Sequence, residues 1–259
     1  SYYSTYDRIF NLTGINVYGH GSDLSFPYID ILFGYRKTNI LGLGGVFLSD
    51  WFVLRGDIGY FSTRDLNSSI TRESTNNPVW YDSLHFSYPL QEQADFYETT
   101  FQIETELPMN INLIAQYFRY DTISYTSGSL PIDQEISIPN LNIDPEEMTP
   151  SYFFNPGVGA PLAVITNRAA IIILDRMFMN EQLKLSVMSM LDLETYIGVT
   201  GIPGSLTEFK MEYNLAQDLL GLIALTKVSG SDIHPDGENY QFNKMDNFSH
   251  LRFEIKYFF

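Results

Sequence analysis

Residues 251–259 carry an apolar or aromatic side chain at every odd position and a charge at 252, 254 and 256. Side chains of a strand alternate between its two faces, so Leu251, Phe253, Ile255, Tyr257 and Phe259 share one face while Arg252, Glu254 and Lys256 share the other. Such a strand needs an apolar environment on one side and water on the other. Either a second sheet covers the greasy face, as in a β-sandwich, or hydrocarbon does.

Composition narrows the choice. At 259 residues the chain is long enough for a single domain, and residues 1–259 are read as one β-barrel domain, or as the C-terminal part of a larger barrel. Aromatic residues make up 15%, with 18 Tyr and 19 Phe against 15 Lys plus Arg, which suits girdles at a membrane interface. There is no Cys, so neither a disulfide framework nor a thiolate metal site is available. The formal charge of −16 and the lack of a basic stripe argue against a nucleic-acid partner. No apolar run is long enough for a membrane helix, and the mean hydropathy of −0.09 is what inward-facing polar alternation produces. Ser1, Tyr2, Tyr3 and Ser4 offer neither a basic start nor an apolar run; the expectation is that a signal was removed or that the sequence is a piece of something longer.

The same period recurs in pairs of segments joined by tight turns. Residues 40–48 and 51–64 meet at Ser49 and Asp50, with Phe52, Leu54, Ile58 and Tyr60 opposed to Arg55 and Asp57. Residues 94–107 and 110–125 meet at Pro108 and Met109, with Tyr97, Phe101, Ile103 and Leu107 opposed to Glu98, Gln102, Glu104 and Glu106. On the mate, Ile111, Leu113, Ala115 and Tyr117 oppose Asn112 and Gln116. A third pair covers 164–178 and 183–199, where Leu183, Leu185, Val187, Leu191, Leu193 and Ile197 oppose Lys184, Ser186, Asp192 and Glu194. Its first member is apolar on both faces over 169–174, which leaves a helix or a lumen-filling strand open. A fourth pair, 206–215 and 219–229, sets Phe209, Met211 and Tyr213 against Glu208, Lys210 and Glu212, and the last strand starts near Asn247.

Long polar segments, 65–93, 127–163 and 230–246, separate these pairs. Short turns at one end and long loops at the other predict an all-β fold: a transmembrane antiparallel up-and-down β-barrel of about ten to twelve strands with short periplasmic turns and long extracellular loops. The uncertainty in number comes from residues 27–37, which form the upper half of one long strand or a strand of their own.

The hairpin from Gly44 to Phe61, with Arg55, Gly56 and Asp57 after its turn, the segment Phe209, Lys210, Met211, Glu212, Tyr213, and the aromatic C-terminus together resemble the C-terminal half of a large porin-like outer-membrane family near the alginate-export-type barrels. The resemblance implies passage of a small solute, passive or facilitated, and no catalytic residues. The terminal aromatic also resembles the signal that the barrel-assembly machinery reads on its clients' last strand. Expected partners are therefore that machinery, outer-membrane lipid and lipopolysaccharide, and a small solute, with a bacterial outer-membrane location; partner proteins and oligomeric state stay open.

In that fold the lumen is lined by Arg55, Asp57, Glu98, Gln102, Glu104, Asn112, Gln116, Lys184, Glu208, Lys210, Glu212, Arg252, Glu254 and Lys256. Fixed charges across a water channel select permeants, whereas paired charges in a narrow barrel can plug it. The lipid face and its girdles take Trp51, Tyr60, Tyr97, Phe101, Tyr117, Phe209, Tyr213, Phe253, Tyr257 and Phe259. No enzyme, cofactor or metal is expected. Two alternatives to a pore remain: a lipase-like barrel enzyme using His20 and Ser22 beside Asp23, and a structural or adhesion barrel. Asp133, Glu135, Asp144, Glu146 and Glu147 could offer oxygen ligands to Ca²⁺, but their spacing matches no EF-hand loop.

Overall fold

A computed structural model describes residues 1–65, 83–128, 154, 156–159, 161–196 and 198–258. The protein is all-β, with 68% of the described residues in strands. Among the described residues there are thirteen strands: β1 (Tyr2–Tyr6), β2 (Asn11–His20), β3 (Asp23–Gly34), β4 (Lys37–Leu48), β5 (Phe52–Arg64), β6 (Ser83–Pro89), β7 (Gln93–Leu107), β8 (Ile111–Thr126), β9 (Arg168–Phe178), β10 (Leu183–Asp192), β11 (Gly204–Ala216), β12 (Leu219–Gly230) and β13 (His250–Tyr257). Ten of them form one antiparallel sheet in the order β1-β4-β5-β7-β8-β9-β10-β11-β12-β13, and a smaller sheet runs β3-β2-β6.

All four tight hairpins expected from alternation are present. Two of their turns use left-handed backbone at non-glycine residues, Met109 (φ 70°) with Asn110 (φ 57°) and Met179 (φ 53°), Asn180 (φ 52°) with Glu181 (φ 69°). That hand matches the right-handed twist of the strands they join. Of the two alternatives for residues 27–37 the separate strand holds: residues 27–34 belong to β3, which ends at Gly34 and pairs with β2, and Lys37 opens β4. Two details differ from the sequence reading. β6 lies within the segment taken as loop, so up-and-down connectivity is interrupted by β2 and β3 and again by β6. β10 stops at Asp192, which leaves Leu193 and Glu194 beyond it, while Ile197 is outside the described residues. The large sheet has β1 and β13 as its end strands and is not closed into a ring by these pairings.

The chain divides into two compact units. The first contains residues 1–42, 59–97 and 121–159. Within it β2 is the central strand of the small sheet and is buried from Thr13 to Gly19. Phe61 stacks on Phe96 at 4.7 Å, and Phe154 lies 5.3 Å from Phe96. Arg36, almost without exposure, holds Asp7 at 2.6 Å, pairs with Glu92, and sits 4.9 Å over the Phe154 ring. Thr38 donates to Asp7 at 2.8 Å and Tyr125 to Glu92 at 2.7 Å, so both carboxylates are held by several donors.

The second unit contains residues 43–58, 98–120 and 160–259. Its only compact apolar cluster among the described residues is Met190, Val228, Tyr240 and Phe242, packed against Leu162, Ile165, Ile171, Leu206 and Met245. Ile171, Met190, Leu206 and Val228 fall in one register row of β9 to β12. The segment that follows β12 therefore folds back over this face of the sheet. That dry patch explains why 169–174 is apolar on both sides, and it resolves the helix-or-strand question in favour of a strand.

Candidate functional site

Register assigns each side chain of β8 to β13 to a face. One row runs Asn112, Asp175, Ser186, Lys210, Ala224, Arg252. The next, toward the tight turns, runs Met177, Lys184, Glu212, Leu222, Glu254, and the one on the other side runs Ile114, Ile173, Met188, Glu208, Thr226, His250. These rows alternate in sequence with the apolar ones, so they share a single face.

On that face opposite charges meet. Lys184 lies 3.6 Å from Asp175, which also accepts from Asn112 at 3.1 Å. Lys210 and Glu212 are 3.5 Å apart, Arg252 reaches Glu254 at 3.3 Å and Glu208 at 3.9 Å, and Lys256 reaches Glu254 at 3.3 Å. Thr226 donates to Glu208 at 3.2 Å. Arg55 pairs with Glu104 at 3.2 Å, and Gln102 donates to Glu104 at 2.6 Å. Asp57 lies close over Gly44, where a Cβ would come within 2.0 Å of its carboxylate oxygen. Two predicted members differ in setting. Glu98 is buried, and Gln116 shares its row with Ile171, Met190, Leu206 and Val228, at the margin of the dry patch. Asp175 and Thr226 belong to the ladder without having been singled out in the sequence. Asp175 closes the apolar run of β9, where alternation is hard to read.

The opposite face is greasy and open. Leu251 is 57% exposed, Phe253 67%, Ile255 76% and Phe101 49%. Trp51, Tyr60, Phe209, Tyr213 and Tyr257 are exposed as well, and Tyr97 and Tyr117 are half-buried; Phe259 lies outside the described residues. On β13 the burial is inverted relative to a soluble strand, because Arg252 and Glu254 are the partly covered residues while their apolar neighbours are exposed.

A second polar group sits where the segment after β12 docks. Asp192 accepts from Thr166 at 2.7 Å, from the Glu194 backbone N–H at 2.9 Å, and from the Tyr240 hydroxyl. Burial, then the Asp192 hydrogen bond, raises the Tyr240 phenol well above its ordinary value; burial and the Glu194 and Asp192 charges do the same for Tyr196. His234 stacks on Tyr240 at 3.8 Å and 9°, and its Nδ1 accepts the Asp236 backbone N–H at 3.0 Å, which assigns the ring proton to Nε2. These residues hold a fold-back segment; none forms a nucleophile with a base. The sequence offered no signal for them, since they meet across 48 residues between Asp192 and Tyr240.

Residues 20–23 form the β2–β3 turn. Gly21 takes φ 57°, and Asp23 accepts from the Ser25 side chain and, at 2.8 Å, from the Ser25 backbone N–H, which together hold its carboxyl below the usual range. No hydrogen bond among the described residues joins Ser22 to an imidazole. The five acids suggested for Ca²⁺ lie outside the described residues, and no group of metal-ligating side chains occurs among the described ones.

Comparison of the chain with protein-family models, with curated proteins and with solved structures finds no match.

Proposed function

We propose that the ten-stranded sheet is the wall of a transmembrane β-barrel of the bacterial outer membrane, and that its charged face lines a path for a small solute. The observation that carries this reading is the inverted burial: the apolar side chains of β13 are exposed while Arg252 and Glu254 beside them are paired and partly covered. In water such a surface would be an aggregation hazard; against hydrocarbon it is the favourable arrangement. Strand parity supports closure. β13 runs toward the tight turns, as does β4, and β1 is antiparallel to β4, so β1 and β13 have opposite directions and an even-numbered ring needs no parallel pair. Unpaired strand edges are not tolerated in hydrocarbon, so a membrane wall of this kind requires that closure or further strands.

A second reading has its own observation. Tyr240, Phe242, Leu162 and Ile165 cover part of the inward face, which favours a barrel that holds no open pore. One sequence of experiments separates them. The chain is first refolded with and without detergent, then recorded in planar bilayers. Insertion with stepwise conductance supports the channel, and insertion without conductance supports the closed barrel. A monodisperse protein in plain buffer refutes both.

A further inference from the structure

We infer that Arg176 is a docking site for the phosphate of a lipid headgroup, in the leaflet on the tight-turn side of the sheet. This rests on the membrane reading above. Register sets Arg176 opposite Leu185, whose other partner is Met211, and continues through Ile223 to Phe253. It is therefore a cation in an otherwise apolar row, on the face away from the paired charges. Its neighbour Asp175 points to the opposite face and is engaged by Lys184 and Asn112. Arg176 makes no ion pair among the described residues, and its Nε is buried without a hydrogen-bond partner.

The direction of the side chain is informative. Its guanidinium carbon lies 4.6 Å from the centroid of Phe178, the next residue on the same face and one step nearer the turn. The long side chain thus leans toward the rim, with its stem along apolar surface and its head at the end where water and headgroups begin. Two strand residues advance about 7 Å, so the head is within reach of an interface that starts at the turn. The terminal N–H groups of a planar guanidinium match a phosphate in two-point geometry, and no ion pair among the described residues competes for them. Phe178 holds one side of the guanidinium plane, which leaves its donor edge for the ligand.

The test uses native mass spectrometry of the full chain in dodecyl maltoside micelles, with phosphatidylglycerol added. Wild type is expected to keep a bound phosphatidylglycerol about fivefold more tightly than Arg176→Gln, the effect of one cation near an anionic surface. Arg176→Lys, which keeps the charge and guards against a folding defect in the Gln variant, is expected to retain most of the binding. Diacylglycerol, which lacks the phosphate, should show no difference between wild type and Arg176→Gln. Equal phosphatidylglycerol retention by wild type and Arg176→Gln overturns the inference, as does displacement of the lipid by inorganic phosphate at equal concentration. Failure of the underlying reading looks different, because the protein would then enter no micelle at all.

Discussion

Placing an arginine at Phe253 tests the orientation of the whole sheet. Phe253 is four residues before Tyr257, the last residue of β13. At about 3.3 Å per residue that is about 13 Å along the strand, and about 10 Å of depth for a strand tilted by about 40°. In an apolar band about 25 Å tall, this puts Phe253 close to the midplane, where an outward arginine costs about 2–4 kcal/mol. Tyr257→Arg, at the rim, should cost only about 0–1 kcal/mol. If the same face instead met water, Phe253 is already 67% exposed and the substitution would stay within about 0.5 kcal/mol. The assay is reversible denaturant unfolding in lipid vesicles, followed by tryptophan fluorescence, for wild type and both variants. A Phe253→Arg midpoint equal to wild type refutes the orientation, and a Tyr257→Arg penalty as large as that of Phe253→Arg refutes the depth assignment.

Three further outcomes follow from the polar clusters. Arg36→Met leaves Asp7 and Glu92 buried without their cation and should lower stability by about 3–5 kcal/mol, measured by the same unfolding titration. Tyr240→Phe removes one of the donors to Asp192 and should cost about 1–3 kcal/mol, seen as faster proteolysis within residues 231–249. Tyr196 and Tyr240 have raised folded values, so the stability they contribute is complete below the unfolded value of 10.0 and is lost as pH rises beyond it. Tyrosinate absorbance should therefore show the 231–249 segment undocking only in that alkaline range, and undocking at neutral pH would contradict the burial of these phenols.

The four hairpins were legible because each has a clean period of two and a turn short enough to force adjacent pairing. Register followed from that, and with it the charged ladder of Lys184, Lys210, Glu212, Arg252, Glu254 and Lys256. Other parts were not legible for physical reasons. β6 pairs with β2 across a long stretch of chain, and nothing local in either strand announces the other. The apolar run of β9 carries no alternation because its inner face meets Tyr240 and Phe242 instead of water. The overrun of β10 has a single cause: Asp192 looks like one more polar residue in the pattern, but it accepts the Glu194 N–H and the Thr166 hydroxyl and so ends the strand.

With the apolar side chains of β13 exposed, buried polar groups take a larger part in holding the elements together. In the first unit, Asp7 and Glu92, with Arg36, Thr38 and Tyr125, tie together four separate segments. In the second, Asp192 gathers Thr166, Glu194 and Tyr240. Both carboxylate clusters lie at the strand ends away from the tight turns, where the long connections begin. Such buried polar groups are weak sources of net stability, yet breaking one partner is costly, so they select one arrangement over its competitors. Carboxylates with several donors each add specificity to the small apolar clusters beside them, while Leu251, Phe253 and Ile255 stay exposed on the other face of the sheet.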